Sequence, residues 1–301
     1  MKAVQLHAYG GVDQLFYEDV EELQPASGEV LVKVAATSIN PVDWKIRRGD
    51  MQARMQLKLP AILGRDVAGT VVALGPGTDG FQSGERVMGL VNRTYAEFLV
   101  TKAETLTRIP RSLDIEEAAA LPLVVLTGTQ LIEKGVQPQP GQTVLITGAL
   151  GNVGRSAVHA AKHHGMKVIA GVRASQRKEA ETLQVNQVVA VDEDRDVAAL
   201  GQVDAIADTV GGDVIRKLLP HLRENGVLAT VVGAPEGVET KNIRVQHVWT
   251  QPDARRLYEL AEAVARGEFS IPIARKMKLS QVREAQALAE AGGISKILLI
   301  P

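Results

Sequence analysis

Residues 143–154, TVLITGALGNVG, contain the pattern that decides the fold of this 301-residue chain. Thr143–Thr147 is short and almost wholly apolar, which is typical of a strand covered on both faces of a sheet. A G-x-x-G-x-x-G spacing follows at residues 148–154, and Asn152–His164 has the composition and length of a helix. Such glycines allow a tight turn and let the backbone approach a pyrophosphate, at a helix N-terminus with free N–H groups. The stretch predicts a dinucleotide-binding turn; the open alternative is a strand–helix turn that binds no ligand.

The chain beyond this turn repeats the same strand and helix patterns. Short apolar runs alternate with helical segments as far as residue 250. This alternation predicts an α/β fold with a parallel, doubly wound sheet of the Rossmann type. The further predicted strands are Lys167–Val172, Gln187–Val191, Val203–Ala207 and Gly226–Val232.

The first 110 residues predict a different, β-rich architecture. Glu29–Ala35 alternates charged and apolar residues, and Val67–Leu74 and Arg86–Leu90 are further apolar runs between glycine-rich turns. Many short strands of this kind predict a small barrel or a distorted sandwich. The tail adds two predicted helices and one strand, which are Asp253–Arg266, Gln281–Ala291 and Lys296–Ile300.

Composition and charge exclude several classes of protein. The chain has no cysteine, which rules out disulfides and thiolate metal sites and favours a cytoplasmic location. Its 34 basic and 35 acidic residues leave no excess of positive charge for a nucleic-acid backbone, and its 3% aromatic content offers few side chains on which bases could stack. No signal peptide is evident, and the longest apolar stretch, Ala118–Leu126, is too short to span a bilayer. We therefore expect neither a nucleic-acid nor a membrane partner.

The residues after the second strand of the predicted sheet bear on the choice of dinucleotide. NAD-binding sheets place an acidic residue about 20 residues after the glycines, where it holds the ribose hydroxyls. Here Arg173 stands 19 residues after Gly154, and no acid occurs before Glu179. Arg173, Ser175 and Arg177 favour a ribose 2′-phosphate, and hence NADP, because arginine offers an anion a fork of donors. The alternative is a solvated basic turn.

Two other catalytic patterns are weaker. His159 and His163 lie four residues apart on a predicted helix, which is a spacing that paired zinc ligands use. No glutamate lies between them and no third ligand is evident, so we interpret them as histidines on a helix surface. The G-x-S-x-G elbow of a serine hydrolase is absent.

Four stretches resemble a known family. Leu63–Gly89, LGRDVAGTVVALGPGTDGFQSGERVMG, resembles the G-x-D-x-x-G-x-V signature of the medium-chain dehydrogenase/reductase superfamily. Ser38–Gly49 (SINPVDWKIRRG), Pro122–Thr129 (PLVVLTGT) and residues 292–300 (GGISKILLI) are similar to its zinc-free quinone oxidoreductase branch. The resemblance covers essentially the whole chain. It implies a GroES-like β-rich catalytic domain, residues 1–122 and 251–301, and a Rossmann dinucleotide-binding domain, residues 123–250.

The resemblance also implies a reductase without zinc. Zinc-dependent alcohol dehydrogenases of the superfamily hold their metal with a cysteine and a histidine where this chain has Asn40 and Arg65. An arginine side chain is cationic and has no acceptor atom, so it cannot replace a zinc ligand. By the same resemblance Asn40 and Asp43 are the expected catalytic residues, Asn40 as a donor to the acceptor oxygen, and Trp44 is expected to line the substrate site. The alternatives are a turn at Asn40, an ion pair of Asp43 with Lys45 or Arg47, and a core position for Trp44.

The expected cofactor is NADPH. The residues that the pattern and the resemblance assign to it are Thr127, Gly148, Gly151, Asn152, Val153, Gly154, Arg173, Ser175, Arg177, Val232, Gly233, Trp249 and Thr250.

These features predict hydride transfer from NADPH to a quinone or an α,β-unsaturated carbonyl, in which the cofactor carries the chemistry and the protein orients it. No general acid is evident, so the final proton is expected from solvent. The alternatives are an NADP-dependent reductase or dehydrogenase of small carbonyls and a non-catalytic NADPH-binding structural or sensor protein. The family resemblance suggests a homodimer.

Overall fold

The computed structural model of the protein describes residues 1–238 and 242–301. The chain forms two compact units, of which one contains residues 1–123 and 252–301 and the other contains residues 124–251. The first unit is thus built from two separate parts of the chain.

The first 123 residues are dominated by short strands. In Glu29–Ser38 the side chains of Val30, Val32 and Val34 are buried while Lys33 between them is exposed, as expected of a strand with one face on a core. The strands are β1 (Lys2–Leu6), β2 (Leu15–Asp19), β3 (Glu29–Ser38), β4 (Ala61–Ile62), β5 (Asp66–Leu74), β6 (Arg86–Leu90), β7 (Phe98–Lys102) and β8 (Leu106–Arg108). The helices are α1 (Pro41–Arg48), α2 (Ile115–Ala118) and α3, which begins here and runs over Pro122–Gln130.

The segment 124–251 alternates strands and helices. Its strands are β9 (Thr143–Thr147), β10 (Lys167–Val172), β11 (Gln187–Ala190), β12 (Val203–Asp208), β13 (Leu222–Thr230) and β14 (Arg244–His247). A π-helical segment, Leu131–Val136, continues from α3, and the further helices are α4 (Asn152–His163), α5 (Arg177–Ala180), α6 (Asp194–Ala198) and α7 (Gly212–Leu218).

One parallel sheet organises this second unit. Over residues 124–238 and 242–251 its six strands follow the order β11-β10-β9-β12-β13-β14. Successive residues of β9 enter opposite cores, because Val144 and Ile146 pack in one buried cluster and Leu145 packs in another. The sheet is therefore covered on both faces, and its order reverses between β9 and β12, which is where doubly wound folds bind their ligands.

The last fifty residues return to the first unit. They form α8 (Ala254–Ala265), β15 (Ile273–Lys278), α9 (Val282–Ala291) and β16 (Lys296–Ile300). Residues 1–123 and 252–301 contain a seven-stranded sheet. Six of its strands follow the order β15-β16-β3-β5-β6-β8, and the seventh, β7, pairs with β3. A smaller sheet has the order β2-β1-β4. β16 pairs with β3, so the end of the chain lies beside the residues that lead into α1.

The structure confirms the predicted fold class, an α/β protein with a doubly wound parallel sheet and a separate β-rich part. The bounds of four predicted strands are identical to those observed; these are Arg86–Leu90, Thr143–Thr147, Lys167–Val172 and Lys296–Ile300. The helix predicted over Asp253–Arg266 is α8, and its N-cap Asp253 accepts a hydrogen bond from the Arg256 amide.

The strand predicted over Gly226–Val232 is wrong at both ends, because β13 runs over Leu222–Thr230. It begins earlier since Leu222 pairs with Val203 of β12 ahead of a bulge. It ends earlier because the Thr230 hydroxyl accepts hydrogen bonds from the Val232 and Gly233 amides, both at 3.2 Å, which turns the chain out of the sheet.

Candidate active site

The glycine turn joins β9 to α4 in the second unit. Gly148 has φ +61°, in the left-handed region, and a Cβ on Gly154 would lie 2.1 Å from the carbonyl oxygen of Gly148. The turn therefore needs glycine at both positions: at Gly148 for its backbone conformation and at Gly154 for space. This is a geometric reason for the spacing in the sequence that does not depend on a ligand.

The start of α4 fits a dinucleotide pyrophosphate. Gly151 is the N-cap of this 12-residue helix and supplies no side-chain cap. The amides of the first helical turn, at Asn152 and Val153, are then available to an anion at the positive end of the helix dipole. They follow β9, at the point where the strand order reverses. Donor chemistry and position both suit the phosphates of a dinucleotide.

A buried carboxylate fixes the neighbouring strand ends. Asp208, the last residue of β12, accepts hydrogen bonds from the hydroxyls of Thr147 at 2.8 Å and Thr230 at 2.9 Å, and from the Gly211 amide at 2.9 Å. The carboxyl ends of three adjacent strands are thus tied to one side chain. Sequence reasoning missed Asp208, although an acidic residue that closes an otherwise apolar strand is a readable signal.

The structure places the remaining predicted cofactor residues of this unit in separate local settings. Val232 and Gly233 follow β13, and the Val232 side chain is 41% exposed. The hydroxyls of Thr127 and Thr250 are 2.6 Å apart, so these two predicted residues contact each other. The neighbouring Trp249 is 54% exposed.

The basic turn after β10 carries acidic partners. Arg173 and Ser175 are exposed, while Arg177 forms an ion pair with Asp196. The Asp192 carboxylate accepts a hydrogen bond from the Ala174 amide at 2.8 Å. Of the two predicted arginines, Arg177 is therefore the one whose charge is committed to an ion pair.

The histidine pair lies on α4, with the His159 and His163 ring centroids 6.3 Å apart. Within residues 1–238 and 242–301 no group of three histidine, cysteine, aspartate or glutamate side chains is arranged to hold a metal ion. In the same residues no helix is long and apolar enough to cross a membrane.

In the first unit the predicted site residues belong to a closed polar cluster around Lys296. The Lys296 ammonium donates to the Ser38 hydroxyl at 2.8 Å and to the Asn40 side-chain oxygen at 2.5 Å, and lies 3.3 Å from the Asp66 carboxylate. All four residues are buried. Burial lowers the pKa of the Lys296 ammonium from its usual value, and the charge of Asp66 opposes that shift.

Asn40 is held at both ends of its amide. Its Nδ2 donates to Asp66 at 2.7 Å while its oxygen accepts from Lys296. The side chain is 0% exposed, so the predicted hydrogen bond to an acceptor oxygen stays a prediction that requires this amide to leave Asp66. Asn40 is also the N-cap of α1, whose first residue is Pro41. It therefore begins a helix and is more than a turn residue.

Asp43 lies in the same buried region. One of its oxygens accepts from the Asn40 amide at 2.8 Å and from the Tyr95 hydroxyl at 2.9 Å; the other, Oδ1, is buried without a hydrogen-bond partner among the described residues. Burial raises the pKa of the Asp43 carboxyl from 3.8 to about 7. Burial, followed by the nearby Asp43 charge, raises the pKa of the Tyr95 phenol. An ion pair of Asp43 with Arg47 is wrong, since Arg47 bonds to Glu290 instead.

Trp44 and Arg65 complete the predicted set in this unit. Trp44 is partly buried and packs against the apolar core of the first unit, as its alternative interpretation expected. Arg65 immediately precedes β5 and is partly exposed. The structure thus brings Asn40 and Asp43 together, with Asp66, Tyr95 and Lys296 as partners that sequence reasoning did not assign to the site. A lysine at the start of the apolar run KILLI was the available signal for Lys296.

Comparison with known proteins places the chain in a family. A model described as the alcohol dehydrogenase GroES-like domain matches residues 26–111, and one described as zinc-binding dehydrogenase matches residues 183–295. The quinone oxidoreductase of Rattus norvegicus is 32% identical over 224 residues, which cover 73% of this chain and 67% of the rat protein. The chain belongs to the medium-chain dehydrogenase/reductase superfamily, in its quinone oxidoreductase branch.

Two further relatives of this branch span the whole chain. A chloroplast envelope quinone oxidoreductase homologue of Arabidopsis thaliana is 29% identical and covers 100% of this chain and 98% of its own. A quinone oxidoreductase from Coxiella burnetii has a solved structure with a TM-score of 0.88 and 28% identity, covering 100% of this chain and 99% of its own. The family makes this chain an oxidoreductase with a nicotinamide cofactor, and it identifies the β-rich part as GroES-like.

Proposed function

We propose that the protein is a zinc-independent, NADPH-dependent reductase of quinones or α,β-unsaturated carbonyls. The observation that carries this proposal is the glycine turn after β9, where the uncapped α4 offers amides to a pyrophosphate. Membership of the quinone oxidoreductase branch supports the class of acceptor. When bound, NADPH supplies a hydride to the acceptor, and a proton from solvent completes the two-electron reduction.

The cofactor-binding roles follow from the local chemistry of the second unit. We assign the pyrophosphate to residues 148–154 and the ribose 2′-phosphate to Arg173, Ser175 and Arg177. An exposed arginine beside a serine hydroxyl suits a dianionic phosphate. Thr127, Val232, Gly233, Trp249 and Thr250 remain our proposed contacts to the rest of the dinucleotide.

The proposal that the protein acts without zinc depends on which ligand atoms the chain offers to a metal ion. The chain has no cysteine, the Asn40 oxygen is occupied by the Lys296 ammonium, and Arg65 is a cation. Zinc prefers nitrogen, thiolate and carboxylate ligands with free lone pairs, so these residues do not fit a catalytic zinc at the two positions where related dehydrogenases hold one. This holds although one matching family model is described as zinc-binding.

The buried cluster of the first unit supports a positioning role for Asn40 and Asp43. Lys296 and Asp66 fix the Asn40 amide, and Asp43 fixes the first turn of α1 through the Asn40 backbone. Trp44 follows directly on this turn, and we keep it as a proposed substrate contact. A rigid α1 start would hold such contacts in place.

The test is NADPH oxidation at 340 nm with a panel of quinones, enones and simple ketones, alongside an NADPH binding titration. We expect turnover of quinones or enones. Turnover of saturated ketones or aldehydes alone would favour the small-carbonyl reductase, and tight binding without turnover of any acceptor would favour a structural or sensor protein.

Two further points belong to the same proposal. We propose a homodimer, to be tested by light scattering of the purified protein, where a monomer mass would refute it. We also propose a cytoplasmic location, which the lack of cysteine supports; fractionation of the source cells tests it, and recovery in an organelle would refute it.

A further inference from the structure

Arg65 carries a charge that no acidic side chain in the described parts of the chain neutralises. Its Nε atom is buried without a hydrogen-bond partner, and none of its nitrogens forms a hydrogen bond or an ion pair with any residue in the ranges 1–238 and 242–301. Arg86 also has a buried Nε without a hydrogen-bond partner, but its terminal Nη2 donates to the Leu113 carbonyl. Arg65 differs from Arg86 because, among the described residues, its whole guanidinium lacks a partner.

The adjacent carboxylate cannot serve as that partner. One oxygen of Asp66 accepts from the Leu123 amide at 2.7 Å, and the other accepts from Ser38 and Asn40 and lies against Lys296. Asp66 is 0% exposed and its charge is already opposed by the Lys296 ammonium. The positive charge of Arg65 is therefore left over in this part of the unit.

The backbone of Arg65 is held in place. Its carbonyl oxygen accepts from the Val91 amide at 2.9 Å, and the carbonyl of Leu63, two residues earlier, accepts from the Tyr95 amide at 3.1 Å. Asp66 follows as the first residue of β5, and its carboxylate accepts a hydrogen bond from the side-chain Nδ2 of Asn40 at 2.7 Å. The backbone of Arg65 is therefore held next to Asp66, a member of the buried cluster.

A buried Nε–H without a partner is costly, because this donor loses water and gains nothing in return. The cost is recovered when a planar anion accepts two parallel hydrogen bonds from the fork, and a carboxylate has that geometry. Arg65 is therefore suited to an anionic ligand more than to a neutral one.

We propose that Arg65 binds the carboxylate of the acceptor, so that the acceptors of this enzyme include α,β-unsaturated carboxylic acids. This proposal rests on the proposed reductase function and narrows its substrate class. Reduction of such an acid adds a hydride to the β-carbon and a solvent proton to the α-carbon, and the carboxylate itself is unchanged.

The kinetic test uses crotonate and its methyl ester, which differ at the carboxylate alone, in the wild type and in Arg65→Gln. We expect Arg65→Gln to lower kcat/KM for crotonate about 10- to 100-fold, in the range for loss of a charge-assisted hydrogen bond, and to change that for the ester less than about threefold. Arg65→Lys should recover part of the loss. Arg275→Gln is the matched control, because Arg275 is exposed in the same unit.

A binding test separates this proposal from the reductase function. Butanoate, a saturated analogue, is titrated calorimetrically into the wild type and Arg65→Gln, with butanamide as the neutral reference and NADPH affinity measured in parallel. Weaker butanoate binding in the variant with unchanged NADPH affinity supports the proposal, even if no acceptor is reduced and the reductase function fails. Equal losses for crotonate and ester, no butanoate binding by the wild type, or a loss confined to NADPH would overturn it, while quinone turnover would leave the reductase function standing.

Discussion

The predicted site of the second unit is made of backbone groups, whereas that of the first unit is made of side chains. In the second unit the glycine turn offers backbone amides at an uncapped helix start, and a short stretch of sequence contains everything that makes it. In the first unit the cluster around Lys296 consists of side chains from distant parts of the chain, all buried and nearly all hydrogen-bonded to one another. The difference teaches that the predicted pyrophosphate site can be recognised in one short stretch of sequence, whereas the side-chain cluster exists only once distant parts of the chain have folded together.

The largest expected effect is on the stability of the side-chain cluster. Lys296→Met leaves the Asp66 carboxylate buried without its cation, and we expect the free energy of unfolding to fall by about 3–5 kcal/mol. Urea unfolding followed by circular dichroism measures it. The double variant Lys296→Met/Asp66→Asn should recover much of the loss, because no buried charge then remains. A single variant as stable as the wild type would show that the cluster is not a structural support.

The next largest expected effect is a loss of NADPH affinity when the glycine turn is changed. In Gly154→Ala the new Cβ lies 2.1 Å from the Gly148 carbonyl oxygen, so the turn must shift away from the geometry that suits a pyrophosphate. We expect NADPH affinity to fall at least about 100-fold, which corresponds to about 2.7 kcal/mol. Gly201→Ala is the control, since its added Cβ meets nothing within 4 Å. Equal affinities in both variants would contradict the assignment of the pyrophosphate to this turn.

The titration of Asp43 in the first unit should make the free energy of unfolding depend on pH. Its pKa is raised to about 7 by burial, so the folded protein holds a proton that the unfolded chain releases near pH 4. The stabilisation is complete at pH values below the unfolded pKa and is lost as pH rises through about 7. From pH 5 to pH 8 we expect the wild type to lose about 2.6 kcal/mol relative to Asp43→Asn, measured by urea unfolding at both pH values. A difference that does not change with pH would refute the buried proton.

The smallest expected effect concerns the choice of dinucleotide. Arg173→Ala should weaken NADPH binding about tenfold and leave NADH binding nearly unchanged, because NADH lacks the 2′-phosphate. Arg177→Ala should do less, since Arg177 already pairs with Asp196. Fluorescence titration of both dinucleotides measures the ratio. Equal losses for NADPH and NADH would refute the 2′-phosphate role.

The sequence predicts the two regions unequally, for physical reasons. Residues 143–154 contain a strand, a turn and a helix start whose geometry depends on neighbours in the chain, and the observed β9 has the predicted bounds. Asn40, Asp43 and Arg65 were found through family resemblance, but their partners were not. Lys296 is 230 residues from Asp66 in the chain, and pairing across that separation is set by the sheet rather than by any local pattern. The early end of β13 depends in the same way on one hydroxyl, that of Thr230.

The separation of Asp66 and Lys296 along the chain has a consequence for synthesis. A ribosome adds about 5–20 residues per second, so Lys296 emerges roughly 10–50 s after Asp66. Throughout that interval the carboxylate, Ser38 and Asn40 are present without the ammonium that unites them, and residues 124–251 are completed before the interval ends. Residues 124–251 are therefore complete before the unit that carries Arg65 receives its last strand.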